Sequence, residues 1–344
     1  MAGKLGSIAR ASNRLLWRPE LSSPHIESLF FKFNLIDERQ ALWFQFGARN
    51  LHRDVGAPHA HVMAALFDAA RPENNRAVKQ RFPASATSTV DERLALQFGE
   101  CVLEEGFTTG RVLRGGHRFE WELRSEAATS DLQHYCYDRL YDLPFPKTKA
   151  TTPVLDTRFS GWVEVDGERI TVDRAPGMQG HNWGVEYAHR WAWTHSNTLQ
   201  GKHGPAVFEA LTGQVRFGRF TSPWIGTAVL DYDGKRLRFD TLRNPQALQS
   251  RPGQSVWHLE AHGRHHRLTA HVEAPPAHFI GVNYRNPDGR VVHCYNSSVA
   301  SAEIRIWKRK GLRWAQDDVL RCTHGAALEL AGPARPPELK IYVS

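Results

Sequence analysis

The sequence predicts an all-β protein made of sandwiches or up-and-down barrels. Short segments in which apolar and polar residues alternate recur through the whole chain, about ten residues apart, with Gly, Pro, Asn or Asp between them. Apolar residues at helical spacing are nearly absent. The chain also has 11 Trp and 17 Phe residues, mostly in the alternating segments. Inward-facing rings of this kind fill a wide core or line a pocket for an apolar ligand.

In the first half, alternation between turn-forming residues predicts a series of short strands. They are Leu29–Ile36, Ala41–Ala48, His61–Asp68, Ala77–Phe82, Leu94–Phe98, Cys101–Glu105, Thr109–Leu113 and Arg118–Leu123. Asp37–Gln40 is predicted to join the first two as a hairpin. A further hairpin links Arg158–Val165 to Glu168–Val172 through the turn pair Asp166–Gly167. The proline-rich segment Pro144–Pro153 has no periodicity and is predicted to be a connector.

The second half shows the same alternation. Its predicted strands are Arg190–Asn197, Ala206–Leu211, Gln214–Phe220, Thr227–Tyr232, Arg236–Leu242, Val256–His262, Arg267–Glu273, Phe279–Asn283, Val291–Ser297, Ala300–Lys308 and Ala326–Leu330. Asp231–Gly234, Asn286–Gly289 and Lys310–Gly311 are predicted turns. Because the Arg158–Val172 hairpin needs a sheet to pair with, the domain boundary is placed after it. The predicted domains are residues 1–186 and 187–344.

Length and composition indicate an ordinary globular protein with room for two domains. No apolar run approaches the ~18 residues that a transmembrane helix needs. Met1–Arg18 is polar and basic, so a cleavable signal peptide is not expected. The 4 cysteines are scattered and lack a CxxC spacing, which favours reduced thiols in a cytoplasmic protein over a disulfide framework or a zinc site.

The charge pattern argues against a nucleic-acid partner. The net charge is +8, but Lys and Arg are interleaved with Asp and Glu along the chain. Lys308–Lys310 is the densest basic run and is predicted to lie at a hairpin turn. We therefore expect no nucleic-acid binding, while a peripheral contact with an anionic membrane surface stays open.

The most informative segment lies near the middle of the chain. Gly177–Gly184 packs glycines around His181 and Trp183, and a strand with Trp191 and Trp193 follows at once. Glycine permits close backbone approach, and residues at i and i+2 of a strand face the same side. We therefore predict a rigid turn that presents His181 and Trp183 beside a tryptophan wall. A structural turn that locks the two halves together is the alternative.

Four motifs carry a resemblance to a known superfamily. Phe159–Gly167, the His181–Gly184 segment, Trp191-x-Trp193 and Cys294–Arg305 together resemble the tocopherol cyclases, the carotenoid 1,2-hydratases (hydroxyneurosporene synthases) and the AttH-like proteins. The resemblance implies two consecutive lipocalin-like antiparallel β-barrel domains of the calycin type, with an apolar cavity near their junction. For some members it also implies proton-initiated hydration or cyclisation of a polyene or prenyl chain.

Such chemistry needs an acid that is shielded from bulk water. Burial raises the pKa of a carboxyl group and keeps it protonated, and aromatic faces stabilise the cation that forms. Glu209 is the nominated carboxyl group because it lies on the predicted strand Ala206–Leu211, one strand after Trp193. By resemblance, a carboxylate of the hydratases falls at about this point. The alternative is that Glu209 simply faces solvent from its strand.

The predicted site combines proton-handling and cavity-shaping residues. The proton-handling pair is His181 and Glu209, and the predicted substrate-binding residues are Asn182, Trp183, Trp191, Trp193 and Asn197. The alternatives are that His181 is a buried structural histidine, that the tryptophans are core, and that Asn197 supports a sheet edge. His59-x-His61 places two imidazoles on one face of a strand, but no further metal ligands can be identified, so no metal or cofactor is predicted.

The leading functional hypothesis is a cofactor-independent enzyme for a small hydrophobic ligand. Its substrate would be an isoprenoid or polyketide-like molecule, transformed by proton-initiated hydration, cyclisation or rearrangement. A non-catalytic, lipocalin-like carrier of an apolar metabolite is the second hypothesis. A structural protein whose aromatic residues are all core is the third.

Overall fold

The chain folds into two sheets, each curved into a nearly closed antiparallel barrel. The computed structural model describes residues 12–21, 23–90 and 93–344. The all-β prediction is confirmed: among these residues, the helices are one α-helix, α1 (Arg139–Asp142), and the short 3₁₀ segments Pro72–Asn74, Ala84–Ala86 and Pro276–His278. Within the same residues, no helix has the length and apolar character required to cross a membrane.

The first barrel contains the strands through Gly184. They are β1 (His25–Leu35), β2 (Gln40–Asn50), β3 (His59–Asp68), β4 (Arg76–Pro83), β5 (Thr87–Thr89), β6 (Ala95–Phe98), β7 (Cys101–Glu104), β8 (Phe107–Arg114), β9 (His117–Ser125), β10 (Ser130–Gln133), β11 (Thr148–Val165) and β12 (Glu168–Gly184). The order across the sheet is β4-β3-β2-β1-β12-β11-β9-β8-β7-β6-β5, with β10 beside β11. The predicted Asp166–Gly167 turn is confirmed, and both residues have the positive φ of a tight hairpin, 54° and 95°.

The second barrel begins at Arg190. Its strands are β13 (Arg190–Gly201), β14 (Gly204–Gln214), β17 (Ile225–Tyr232), β18 (Lys235–Asp240), β19 (Leu248–Pro252), β20 (Val256–His262), β21 (His266–Glu273), β22 (Ile280–Arg285), β23 (Val291–Lys310), β24 (Arg313–Gly332) and β25 (Ile341–Val343). The order is β18-β17-β14-β13-β24-β23-β21-β20-β19, while β22 pairs with β23 and β25. Residues 185–189 connect β12 to β13.

Both barrel interiors are filled by side chains. In the first barrel, alternate residues of β1 and β2 point inward, and the rings of Phe31 and Phe44 stack with centroids 4.8 Å apart. In the second, Trp257 and Phe208 are buried among the aliphatic residues of β20–β24. Because these interiors are packed, the space for a ligand lies outside the lumens.

The barrels contact each other through their outer faces. Trp43 and Met63 of the first barrel are buried in one cluster with Val282 and Tyr284 of the second. Asn34 of β1 donates from Nδ2 to the carbonyl oxygen of Ser298, 2.7 Å away. This contact places β1, β2 and β3 against β22 and β23, and the candidate site lies beside it.

The central glycine-rich segment is not a turn, which corrects the sequence prediction. Gly177–Gly184 forms the last part of β12 and pairs with β1 along its whole length. A Cβ at Gly177 would lie 2.4 Å from the carbonyl oxygen of Lys32, and one at Gly180 would lie 2.3 Å from the ring of Phe30. Glycine is therefore required here by close cross-strand neighbours in β1, not by a change of chain direction.

Two other predicted segments differ in the structure. Gln214–Phe220 is not one strand: β14 ends at Gln214, and β15 (Arg216–Phe217) and β16 (Phe220–Thr221) form a separate small hairpin. The predicted connector Pro144–Pro153 is a connector only in its first part, because β11 already begins at Thr148. Proline is tolerated within β11 because its pairing with β12 is interrupted by register shifts around residues 151–157.

Substituting Gly180 with Ala is expected to lower the free energy of unfolding by about 1–3 kcal/mol, because the added methyl group must displace the Phe30 ring. Gly213→Ala is the matched control on β14, since its Cβ would make an ordinary contact 3.4 Å from the Arg190 carbonyl oxygen. Urea unfolding of both variants measures the difference. If Gly180→Ala were as stable as Gly213→Ala, the Phe30 ring would not require a glycine at position 180.

Candidate active site

A pocket of about 250 Å³ lies at the junction of the two barrels. Residues of β1, β2, β11 and β12 form one side, and residues of β13, β14, β17, β22 and β24 form the other. Nine aromatic residues line it: Phe30, Trp43, Tyr135, Phe145, Trp183, Tyr187, Trp191, Trp193 and Tyr284. A concave, aromatic-rich space with a few polar groups is typical of a site for an apolar small molecule.

Two tryptophans of β13 each donate a hydrogen bond to a carboxyl group of the pocket. Trp191 and Trp193 face the same side of the strand, as predicted. The indole Nε1 of Trp193 lies 2.8 Å from Oε1 of Glu209, and that of Trp191 lies 2.5 Å from Oε1 of Glu329. Each of the two strands that flank β13 therefore brings one carboxyl group to the site.

Glu209 is buried rather than solvent-facing, which excludes the alternative considered from its sequence. It is 1% exposed and accepts hydrogen bonds from Trp193 and from Oγ1 of Thr152, 2.9 Å away. Nε2 of His134 lies 3.4 Å from its Oε1. The other oxygen, Oε2, has no hydrogen-bond partner among the described residues.

The ionisation of Glu209 differs from the expectation. Burial acts to raise the pKa of Glu209, but the charge and hydrogen bond of His134, with smaller contributions from His195 and Trp193, outweigh it and hold this pKa below its usual range. This lowered pKa favours the ionised form of Glu209 over the protonated acid that was expected from the sequence.

Glu329 of β24 has the property that was expected of Glu209. Burial raises its pKa, and the hydrogen bonds from Trp191 and Cys294 only partly offset this effect. Its side chain lines the pocket beside Trp191. Glu329 was not predicted from the sequence, although it is the one charged residue in the apolar run Gly325–Gly332. A lone carboxyl group within an apolar strand was the signal that could have found it.

His181 lies behind the pocket wall. It is fully buried, its Nε2 is 2.8 Å from Oε1 of Glu27, and its ring stacks on Trp183 with centroids 4.6 Å apart. Trp183 and Glu27 line the pocket, whereas His181 does not. The structure therefore places His181 where it can orient Trp183, and not where it can touch a bound molecule.

Glu27 was not found from the sequence and is the partner of His181. Burial acts to raise the pKa of Glu27, but hydrogen bonds from His181 and His25 and their charges hold it at about 2. Its Oε1 also accepts a hydrogen bond from the backbone N–H of Leu16, 2.8 Å away. This buried carboxylate ties the chain before β1 to the end of β12.

The two predicted asparagines have different positions. Asn182 lines the pocket, next to Trp183. Asn197 lies outside the lining, where its Nδ2 donates to Oδ1 of Asp156 and to the carbonyl oxygen of Gly177, at 2.7 and 3.0 Å. Asn197 thus connects β13 to the first barrel. Across the part of the chain that the structure describes, no group of three His, Cys, Asp or Glu side chains is arranged to hold a metal ion.

These features define a class of protein: two lipocalin-like barrels with an aromatic pocket at their junction, in which the pKa values of Glu209 and Glu329 are shifted in opposite directions. The sequence profile of the tocopherol cyclase-like family matches residues 153–332, which is more than half of the chain. The chain therefore belongs to the tocopherol cyclase-like family. The matched region includes β13, β14 and β24 but not β1 or β2.

Two plant proteins are similar over this region. The probable chloroplastic tocopherol cyclase of Oryza sativa subsp. japonica is 26% identical over 183 residues, which is 50% of this chain and 37% of that protein. The chloroplastic tocopherol cyclase of Zea mays is 26% identical over 185 residues, again 50% of this chain and 37% of that protein. The match thus spans little more than a third of the length of these relatives.

Solved structures show the same fold over nearly the whole chain. A putative AttH protein from Nitrosomonas europaea has a TM-score of 0.55 at 12% identity, and the match covers 94% of this chain and 98% of that one. CghA has a TM-score of 0.53 at 10% identity, with 95% and 98% covered. At these identities the comparison establishes the two-barrel architecture alone.

Proposed function

We propose that this protein is an enzyme that protonates a carbon–carbon double bond of an isoprenoid or polyketide-like molecule and thereby starts a hydration, a cyclisation or a rearrangement. The observation that carries the proposal is Glu329, a carboxyl group with a raised pKa in an aromatic pocket. Membership of the tocopherol cyclase-like family supports it. Because the acid is one of the chain's own side chains, the proposed reaction uses no cofactor.

Glu329 supplies the proton in the first step. The π electrons of the alkene take the proton from its carboxyl group, a new C–H bond forms at the less substituted carbon, and positive charge develops at the other carbon. The aromatic faces of Trp191 and Trp193 lie in the same pocket and stabilise this charge without attacking it. The negative charge of the Glu209 carboxylate also stabilises the positive charge on the substrate.

The second step consumes the cation and returns the proton. In a hydration, the oxygen of a water molecule bonds to the cationic carbon and then loses a proton, so one water is added overall. In a cyclisation, a hydroxyl group of the same molecule attacks instead, and the product is an isomer of the substrate. The released proton goes to the Glu329 carboxylate, which restores the acid for the next cycle.

The same apolar walls would also suit a carrier, and the experiment must distinguish the two functions. The purified protein is extracted with organic solvent to identify a co-purifying apolar molecule. It is then incubated in deuterium oxide with prenylated phenols and linear polyenes. The enzyme hypothesis predicts a hydrated or isomeric product that carries solvent deuterium on carbon. Recovery of every bound compound unchanged and without deuterium would establish the carrier instead.

A further inference from the structure

Five cationic side chains gather at one end of the barrel junction, outside the pocket described above. We call them the Arg49 cluster: Arg49, Lys79, Arg81, Arg114 and Arg285. In the sheet, Arg49 of β2 pairs with His59 of β3, and His61 of β3 pairs with Arg81 of β4. Directly paired residues share a face, and so do residues two apart in a strand, so Arg49, Lys79 and Arg81 lie on one face.

In the described part of the chain, the Arg49 cluster is not paired with carboxylates. Over the described residues, none of its five members forms an ion pair with a carboxylate. The cations also affect one another: burial, together with the charges of Arg49, Arg81 and Arg285, holds the pKa of Lys79 well below its usual range. Burial and the charges of Arg49, Lys79 and Arg81 lower the pKa of His59 to about 4 and hold the pKa of His61 well below its usual range.

Arg49 makes the absence of a counter-charge costly. It is 3% exposed, and its Nε and Nη2 atoms have no hydrogen-bond partner among the described residues. Its Nη1 donates to the carbonyl oxygen of Arg285, 3.3 Å away. A guanidinium group keeps its charge in proteins, and a buried charge without a partner is strongly unfavourable. The position therefore calls for an anion.

The surroundings fit a group with several negative oxygens. Lys79, Arg81 and Arg114 line a surface groove together with Glu100, which is already paired with Arg111, and Ser344. Arg81, Arg114 and Arg285 are exposed, so an anion can enter from solvent. The planar fork of arginine matches phosphate oxygens in a bidentate manner, and lysine adds a point charge. The same positive charges repel a divalent metal ion, which argues against a metal site at His59-x-His61.

We propose that the Arg49 cluster is a binding site for a phosphate group. The group can belong to a free phosphate compound or to the headgroup of an anionic lipid, and both would be recognised through the same oxygens. This site is distinct from the pocket, because no member of the cluster lines the pocket.

Calorimetric titration with inorganic phosphate and pyrophosphate tests the proposal, with sodium chloride at the same ionic strength as the reference. The double variant Arg81→Ser/Arg285→Ser changes two exposed residues and so preserves the fold, while Arg49→Met removes the buried charge. Each is expected to weaken binding at least about tenfold, the loss typical of a charge-assisted hydrogen bond. Arg305→Ser is the control, because Arg305 is an exposed arginine of the second barrel that is paired with Glu303.

Sedimentation with vesicles distinguishes the two sources of phosphate. Binding to vesicles containing phosphatidic acid, but not to pure phosphatidylcholine vesicles, and its loss in both cluster variants would identify a lipid headgroup. Phosphate or pyrophosphate binding that disappears in the variants, without vesicle binding, would identify a free phosphate compound. The proposal is overturned if neither probe binds, or if the Arg305→Ser protein loses as much affinity as the cluster variants.

Discussion

Glu329→Gln is expected to reduce turnover by about 10²–10⁴-fold, the range that a positioned general acid contributes, while ligand affinity stays close to that of the wild type. The amide preserves the shape of the side chain, and its oxygen can still accept the hydrogen bond from Trp191. It cannot donate an acidic proton to an alkene. Single-turnover kinetics with a substrate found by the deuterium experiment, together with equilibrium binding, separates the two effects.

The same variant should be at least as stable as the wild type near neutral pH. Because the folded-state pKa of Glu329 is raised by burial, its contribution to stability is fully present below the unfolded pKa and is lost as the pH rises through the folded value. Glutamine stays neutral and avoids this loss. Urea unfolding should therefore show that the free energy of unfolding declines less for Glu329→Gln than for the wild type as the pH rises above the unfolded-state pKa. A variant that is inactive but at least as stable as the wild type has not lost activity through misfolding.

The wild-type rate should fall as the pH rises through the pKa of Glu329, since only the protonated form is an acid. Glu303→Gln is the control, because Glu303 lies on the adjacent strand β23 and outside the pocket lining. Its activity and pH profile should match those of the wild type. If Glu209→Gln removed the pH dependence while Glu329→Gln kept it, Glu209 would be the acid and our assignment would be wrong.

Local patterns predicted most of the fold. Alternation identified strands such as β1, β2 and β14, and turn chemistry identified the Asp166–Gly167 hairpin, because both signals lie within a few neighbouring residues. The prediction of a turn at Gly177–Gly184 was wrong because the deciding contacts come from residues that are distant in the sequence. The glycines of this segment are required by Phe30 and Lys32, which reach them only once β1 has paired with β12. Nothing local to the segment distinguishes that requirement from a turn.

In the site as well, contacts between residues close in the sequence could be predicted, and contacts between distant residues could not. Trp193 and Glu209 were paired correctly because they lie on consecutive strands, 16 residues apart. Trp191 and Glu329 are 138 residues apart, and His181 and Glu27 are 154 apart. Both pairs arise from a late strand closing against an early one, so neither carboxyl partner could be assigned from spacing. The pKa of Glu209 depends on His134, which follows β10 and is also distant from Glu209 in the sequence.

Replacing Glu27 with Ala is expected to lower the free energy of unfolding by about 3 kcal/mol at neutral pH, a typical cost of removing one partner of a buried ion pair. The substitution leaves His181 and the backbone N–H of Leu16 without their acceptor. It also frees the imidazole that stacks on Trp183. We therefore expect a change in tryptophan fluorescence of the folded state as well as the loss of stability.

The pH dependence separates this ion pair from a general packing defect. The folded-state pKa of Glu27 is about 2, below its usual 4.5, so its stabilisation is present above the unfolded value and is lost as the pH falls through the folded value. The difference between wild type and variant should therefore shrink between about pH 4.5 and about pH 2, as measured by urea unfolding. Glu164→Ala removes a more exposed carboxylate paired with Arg118 and should cost at most about 1 kcal/mol at any pH. A constant difference between wild type and the Glu27 variant across this range would mean that Glu27 acts by filling space, and that charge does not hold His181 against Trp183.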